Sequence, residues 1–292
     1  MRFRNVSPKV GAQYEWGNSQ VYGHWSRGFR SGGYNFRITN IPVFNRAFNA
    51  TRSLGFDEEQ VDNYEIGGKF QTVDQSLTLN VAAYVTKVGN MQREVNLADP
   101  GAGVVQNILN TADATIKGFE AEARMRVSES LAFTANIGIT DAGYDRVLFD
   151  ISGDGFITDA DLDLSLPRVP PVTVGVGFIH DWDLGNSGAI LTRVNYQYRD
   201  RAAYTDDNFG WLNDLSNMEA NITWTTPVDG LSLSLYGRNL FDQVQEGGDT
   251  QVPFGGPRSD GVQQPFQQRP GAGTFSPLMR GRNIGVEALF EF

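Results

Sequence analysis

Stretches in which apolar and polar residues alternate one by one recur along this chain, and the connections between them alternate strictly in length. The tight breaks are Gly17-Asn18, Val73 to Ser76, Ser128 to Ser130, Gly185 to Ser187 and Val228 to Gly230. Between them fall long irregular segments, at about residues 31–60, 96–110, 145–170, 202–213 and 242–277. Antiparallel strands that run up and down in sequence put every second connection at the same end. All tight turns then gather at one end of the sheet and all long loops at the other. A Greek-key sandwich has no reason to sort its connections by length, whereas a membrane barrel with short inner turns and long outer loops does.

The strands themselves carry a period of two. Leu77, Leu79, Val81, Ala83 and Val85 point one way, and Thr78, Asn80, Ala82 and Tyr84 the other. Phe119, Ala121, Ala123 and Met125 oppose Glu120, Glu122, Arg124 and Arg126. At the carboxyl end Ile284, Val286, Ala288, Phe290 and Phe292 form an apolar file against Asn283, Glu287 and Glu291. About eleven such strands of roughly 8 to 13 residues are expected, a length that suits a tilted crossing of the hydrocarbon layer. The polar file, which includes Arg193, Gln197, Arg199 and Arg238, suits a wet lumen, and Tyr196, Tyr198 and Trp224 near strand ends suit an interfacial girdle. The fold expected is therefore all-β, an antiparallel up-and-down transmembrane β-barrel. A large soluble β protein with one solvated face is the alternative.

Composition narrows the function. No run of about eighteen apolar residues is present, so no transmembrane helix is available. The negative mean hydropathy is uninformative for a barrel, because alternating strands average to neutral. Cysteine is absent, which removes disulfides and thiolate metal sites, and the two histidines, His24 and His180, are far apart. A net charge of −10 argues against a nucleic-acid partner, which requires clustered lysine and arginine. Ser, His and Asp occur without a nucleophile-elbow context, and Gly153-Asp154-Gly155 lacks the lysine and following helix of a phosphate loop, so no enzyme is expected. The first residues carry no apolar export segment. An odd strand count is also unlike a complete bacterial barrel, so the chain reads as part of a longer one.

Several stretches resemble the TonB-dependent outer-membrane receptors. They are Ser26-Arg27-Gly28-Phe29-Arg30-Ser31-Gly32-Gly33-Tyr34-Asn35, Asn63-Tyr64-Glu65-Ile66-Gly67-Gly68-Lys69, Ile116-Lys117-Gly118-Phe119-Glu120-Ala121-Glu122, Arg238-Asn239-Leu240-Phe241-Asp242 and the terminal Phe292. The resemblance implies a barrel of 22 strands closed by an amino-terminal plug, with residues 1–292 as its carboxyl-terminal eleven strands and the plug and earlier strands absent. It implies the outer membrane of a Gram-negative bacterium and active import of a scarce small nutrient, foremost ferric siderophore-type iron chelates. Saccharide or other nutrient uptake, and a passive porin, stand as alternatives. The partners implied are the TonB complex, outer-membrane lipid and the barrel-assembly machinery, which reads the terminal strand.

Two sets of candidate site residues follow. Arg27, Arg30, Tyr34 and Arg37, basic and aromatic at the expected outer mouth, are candidates to touch an anionic ligand. In the third long loop, Asp150, Ser152, Asp154, the Phe156 carbonyl, Thr158 and Asp161 occupy positions 1, 3, 5, 7, 9 and 12 of a calcium-loop pattern with glycine at position 6. Ser152 and Asp161 are weaker ligands than the usual choices, so a structural calcium of low affinity is one reading and an acidic solvated loop the other. No other cofactor is expected.

Overall fold

The computed structural model describes residues 4–35, 41, 45, 55–99, 103–152, 156–247, 250–251 and 274–292. In chain order the strands are β1 (Lys9–Trp16), β2 (Ser19–Arg30), β3 (Gly33–Tyr34), β4 (Gly55–Phe56), β5 (Glu59–Gln71), β6 (Leu77–Asp99), β7 (Gly103–Arg126), β8 (Leu131–Val147) and β9 (Val172–Asp183). They continue as β10 (Ala189–Arg199), β11 (Ala202–Ala203), β12 (Trp211–Leu212), β13 (Leu215–Thr225), β14 (Leu231–Arg238), β15 (Thr250–Gln251), β16 (Thr274–Phe275) and β17 (Asn283–Phe290). Eleven of them form one sheet in the order β1-β2-β5-β6-β7-β8-β9-β10-β13-β14-β17, every pair antiparallel and adjacent in sequence among these long strands. The short pairs β3-β4, β11-β12 and β15-β16 lie within the long connections. The up-and-down order and the sorting of turns from loops are as the alternation of lengths requires.

One expected loop is a correction. Residues 96–110 are not irregular: β6 and β7 continue as a hairpin of 23 and 24 residues, paired as far as Asp99 with Gly103. The register shifts between Val88 and Met91, again between Met91 and Gln92, and on the facing strand between Asp113 and Ala114. A bulge inserts a residue and swaps the faces beyond it. The period of two therefore breaks at the place where the strand leaves the apolar layer, while the backbone ladder goes on. Residue-by-residue alternation has no way to follow it.

The apolar file faces outward and stays uncovered. Val10 is 66% exposed, Ile66 67%, Ile284 63% and Val286 81%. Register aligns these files into rows, as in Ile66, Ala83, Phe119 and Ile139 across β5 to β8. Side chains this apolar and this exposed over so wide a face belong against hydrocarbon or another protein.

The inward file is polar and kept thin by a repeated device. Tyr22 lies directly across from Gly67, Tyr84 from Gly118, and Tyr236 from Gly285, each pair cross-strand neighbours. In each case the ring lies over the glycine, where a Cβ would collide with it. The aromatic ring shields a stretch of backbone that has no side chain of its own. Asn136 over Gly175 and Asn195 over Gly177 repeat the arrangement with amides.

The enclosed apolar core is small and lies at the loop end of the inward face. Met91, Ala112, Ala114 and Tyr144 of the wall pack against Ile151 and Leu166 of the connection between β8 and β9. Ala114 and Tyr144 continue the inward files of β7 and β8, so this connection folds into the mouth instead of standing away from it. Leu162, Leu164 and Val169 join the cluster. Ile151 and Leu166 are 5% and 3% exposed, and burying side chains of this size contributes about 1.5–3 kcal/mol apiece.

Candidate functional site

The inward files of the last strands form a concave wall around a cavity of ≈ 990 Å³. Alternation sends Arg193 and Asn195 of β10, Asn217, Glu219 and Asn221 of β13, Tyr236 and Arg238 of β14, and Asn283 and Glu287 of β17 to the same side. Arg280, from the connection before β17, and Gln245 complete the lining. Among the described residues none of the three guanidiniums is ion-paired. Asn217 Oδ1 and Gln245 Nε2 are buried without a hydrogen-bond partner. A buried amide left unsatisfied costs about 1–3 kcal/mol. The wall thus offers three guanidiniums, the carboxylates of Glu219 and Glu287 and two amide groups to a polar occupant.

Above it, two connections interlock across the mouth. Arg168 N donates to Ala203 O at 2.6 Å. The Asn208 amide donates to Ser165 O at 2.9 Å, and its Oδ1 accepts from Ser165 N at 2.8 Å. The Arg168 guanidinium stacks over Tyr204 at 4.7 Å and that of Arg201 over Trp211 at 4.1 Å. Asp206 turns toward β6, where its Oδ1 stands 3.5 Å from Arg93 Nε. That distance is an ion-pair contact rather than a hydrogen bond, and both atoms are enclosed without a hydrogen-bond partner. Part of the Asp206 side chain remains exposed, yet burial around the carboxyl pushes its pKa above the ordinary carboxylate range. The Arg93 charge pulls the other way, and burial wins. The Tyr144 hydroxyl beside them is also enclosed without a partner.

Sequence reasoning missed Arg93, Tyr144 and Asp206. Arg93 lies just past the bulge, at the edge of what reads as a loop, and Asp206 lies in a segment with no period. The paired acids Asp206 and Asp207 close to Trp211 were the one available signal.

The residues singled out from the sequence do not converge. Arg27 belongs to the outward file with Val21 and Trp25, and its Nε and Nη2 donate to Asp62 at 2.8 and 2.9 Å. Arg30 falls on the inward file at the top of β2, and Tyr34 is exposed in β3. Arg37 lies outside the described residues.

In the acidic loop, Asp161 is fully buried. Its Oδ1 accepts from Ser152 N at 2.7 Å and its Oδ2 from Thr158 N at 2.9 Å. Thr158 caps the short helix Asp159–Leu162, and Ser152 Oγ donates to Asp150 Oδ1 at 3.2 Å. Phe156 is exposed, and Asp154 lies outside the described residues. Asp161 thus closes the loop through backbone amides, drawing its third and twelfth positions together.

The family of TonB dependent receptor-like β-barrels matches residues 1–240. The chain belongs to the TonB-dependent receptor family. Receptors of this family are transporters, not enzymes, and its barrels are outer-membrane proteins of Gram-negative bacteria. Among solved structures, the ferric yersiniabactin uptake receptor FyuA from Yersinia pestis superposes with a TM-score of 0.72 at 19% identity, covering 99% of this chain and 37% of that one. The siderophore receptor PiuA from Acinetobacter baumannii gives 0.64 at 16% identity, over 97% and 35%. The pyoverdine outer membrane receptor FpvA from Pseudomonas aeruginosa PAO1 gives 0.60 at 15%, over 98% and 36%. At such identities the likeness is one of fold. The chain spans 33–37% of the length of these and the similar receptors it matches.

Proposed function

We propose that this chain is the wall of an outer-membrane active transporter that takes up ferric siderophore-type iron chelates. The observation that carries the proposal is the inward wall of β10 to β17, where Arg193, Arg238 and Arg280 face one cavity and are not ion-paired among the described residues. Iron chelates built on carboxylate, catecholate or hydroxamate oxygens are oxygen-rich and often anionic, and unpaired guanidiniums in a concave polar site attract such ligands. That the structural neighbours are named as siderophore receptors supports the same class. The transport energy would come through the TonB complex, and the barrel-assembly machinery would read the terminal strand with Phe292. Both sheet edges, β1 and β17, carry unpaired backbone, and within a membrane such edges need partners. In this reading they pair with the rest of a larger barrel.

Growth of a strain lacking the full gene, under iron limitation with individual ferric siderophores supplied, tests the proposal. Loss of growth on one chelate, restored by the gene, is the expected result. Unchanged siderophore use together with lost growth on an oligosaccharide would replace it with saccharide uptake, and unchanged uptake after TonB is removed would point to a passive pore.

We also propose a structural calcium in the loop from Asp150 to Asp161. Its support is the closure of the loop by Asp161, which draws Ser152 and Thr158 around one short turn. Calorimetric titration with calcium checks this, and absence of heat at millimolar ion would rule it out.

A further inference from the structure

We propose that Arg30 and the apolar row beneath it form a subsite for an aryl oxyanion, a catecholate or phenolate arm of the ferric chelate, and that Gln92 keeps this subsite open by occupying Glu59. The inference rests on the iron-chelate reading above and narrows the chemistry of the chelate. On the inward face of β2, β5 and β6, Ser26, Asn63 and Thr86 make a polar row. One row higher, toward the long loops, the pairing aligns Gly28, Val61, Val88, Ala114 and Tyr144 across β2 and β5 to β8. An apolar strip therefore lies directly above a polar one. Its Ala114 and Tyr144 end is covered by the β8-β9 connection, and Val88 packs against the same cluster. The other end is open: Val61 is half-buried, and a Cβ added to Gly28 would meet nothing within 4 Å.

Arg30 is the next residue above Gly28 on the inward file of β2. It is exposed and not ion-paired among the described residues. Its partner across the ladder is Glu59, the carboxylate best placed to neutralise it. That carboxylate is engaged elsewhere, because Glu59 Oε2 accepts from Gln92 N at 2.6 Å. Gln92 follows the register shift at Met91 and is only 5% exposed. Its Nε2 donates to Asp57 O at 2.8 Å and Ser31 O at 3.2 Å, with a longer contact to Arg30 O at 3.4 Å. One buried glutamine thus fixes the backbone that carries Arg30 and holds the competing carboxylate. The guanidinium is left free beside an uncovered apolar surface. Iron-bound carboxylate and hydroxamate groups gain from the charge alone. An aryl arm gains twice, since its oxygen meets the guanidinium while its ring covers Gly28 and Val61.

The test uses the full-length protein in detergent micelles and two synthetic probes, the ferric complexes of a tris-catecholate and a tris-hydroxamate built on the same tripodal scaffold. Quenching of tryptophan fluorescence reads their affinities. The wild type should prefer the tris-catecholate, and Arg30→Gln should weaken that probe about tenfold while hardly changing the other. Gly28→Val, which fills the hollow and leaves the charge in place, should cost the tris-catecholate a similar factor. A loss confined to Arg30→Gln is charge attraction alone and overturns the aryl assignment. Gln92→Leu, which releases the backbone of Arg30, should weaken the tris-catecholate about threefold. Adding Glu59→Gln should restore much of it, because no carboxylate is then left to claim Arg30; absence of rescue overturns the part given to Gln92. Heat-modifiable migration on a gel confirms a folded barrel for each variant. Equal affinity of the wild type for the two probes, or growth on a chelate without aryl oxygens in the assay above, refutes the subsite and leaves iron uptake standing. Unchanged growth on every ferric siderophore, with neither probe bound, refutes the iron-chelate reading and the subsite with it.

Discussion

Replacing Gly118 by alanine should destabilise the barrel through one neighbour, Tyr84. Gly118 has an ordinary extended backbone, so the added methyl meets no torsional objection. What it meets is the tyrosine ring, with Cε1 at 2.6 Å and the ring tip nearer still. Forcing a packed side chain aside costs about 1–3 kcal/mol. Removing a glycine from a strand returns roughly 0.5–1 kcal/mol. The expected net loss is therefore about 1 kcal/mol at the middle of these ranges and at most about 2.5 kcal/mol, a factor of about five in the folding equilibrium at the middle value. With Tyr84→Ala already in place the collision is gone, and Gly118→Ala should become neutral or stabilising by about 0.5–1 kcal/mol. The sign of the effect thus depends on the ring. A double-mutant cycle of denaturant unfolding on the full-length protein in micelles, followed by tryptophan fluorescence, measures the coupling directly. An equal loss from Gly118→Ala with and without Tyr84 would refute the reasoning, and would mean that the glycine serves the backbone instead. The pair Gly285 and Tyr236 provides an independent repeat.

Val286→Lys, on the outward file and 81% exposed, should cost about 2–4 kcal/mol if it lies near the bilayer midplane. Glu287→Lys, one residue on but facing inward, should fall within about 0.5 kcal/mol of wild type. Unfolding in lipid vesicles compares the two. Asp161→Ala orphans the amides of Ser152 and Thr158, at about 1–3 kcal/mol for each unsatisfied group. Limited proteolysis should then cut between residues 148 and 170 faster, while the wall strands stay protected. At Asp206, burial raises the carboxyl's pKa, so the closed loop keeps a proton that the open loop has already lost. Closure is strongest below the ordinary carboxylate range and weakens as pH rises, until the closed form has ionised too. Hydrogen-exchange protection of residues 202–212, taken relative to the intrinsic exchange rate at each pH, should fall across that window in the wild type and stay constant in Asp206→Asn.

Legibility in the sequence followed the physics of each region. Where a strand separates hydrocarbon from water, every second residue must be apolar, and the files from Leu77 to Val85 and from Ile284 to Phe290 could be read directly. Where β6 and β7 pass their bulges the register shifts and the period of two breaks, so the upper hairpin read as loop although its ladder is intact. Arg27 shows a second limit. Its place beside glycines and aromatics suggested a ligand-facing mouth, but it continues the outward file of Val21 and Trp25, and there Asp62 on the neighbouring strand engages it.

By itself, then, the amino-acid order determined an all-β wall, the side of each crossing strand that is apolar, and the end at which the long connections gather. These are local properties, set by a period of two and by turn length. Only the tertiary structure decided that the β8-β9 connection folds into the mouth, that Arg93 meets Asp206 across more than one hundred residues, and that three arginines from separate segments share one cavity. Those arrangements depend on contacts between distant segments, and such contacts leave no trace in the spacing of neighbours along the chain.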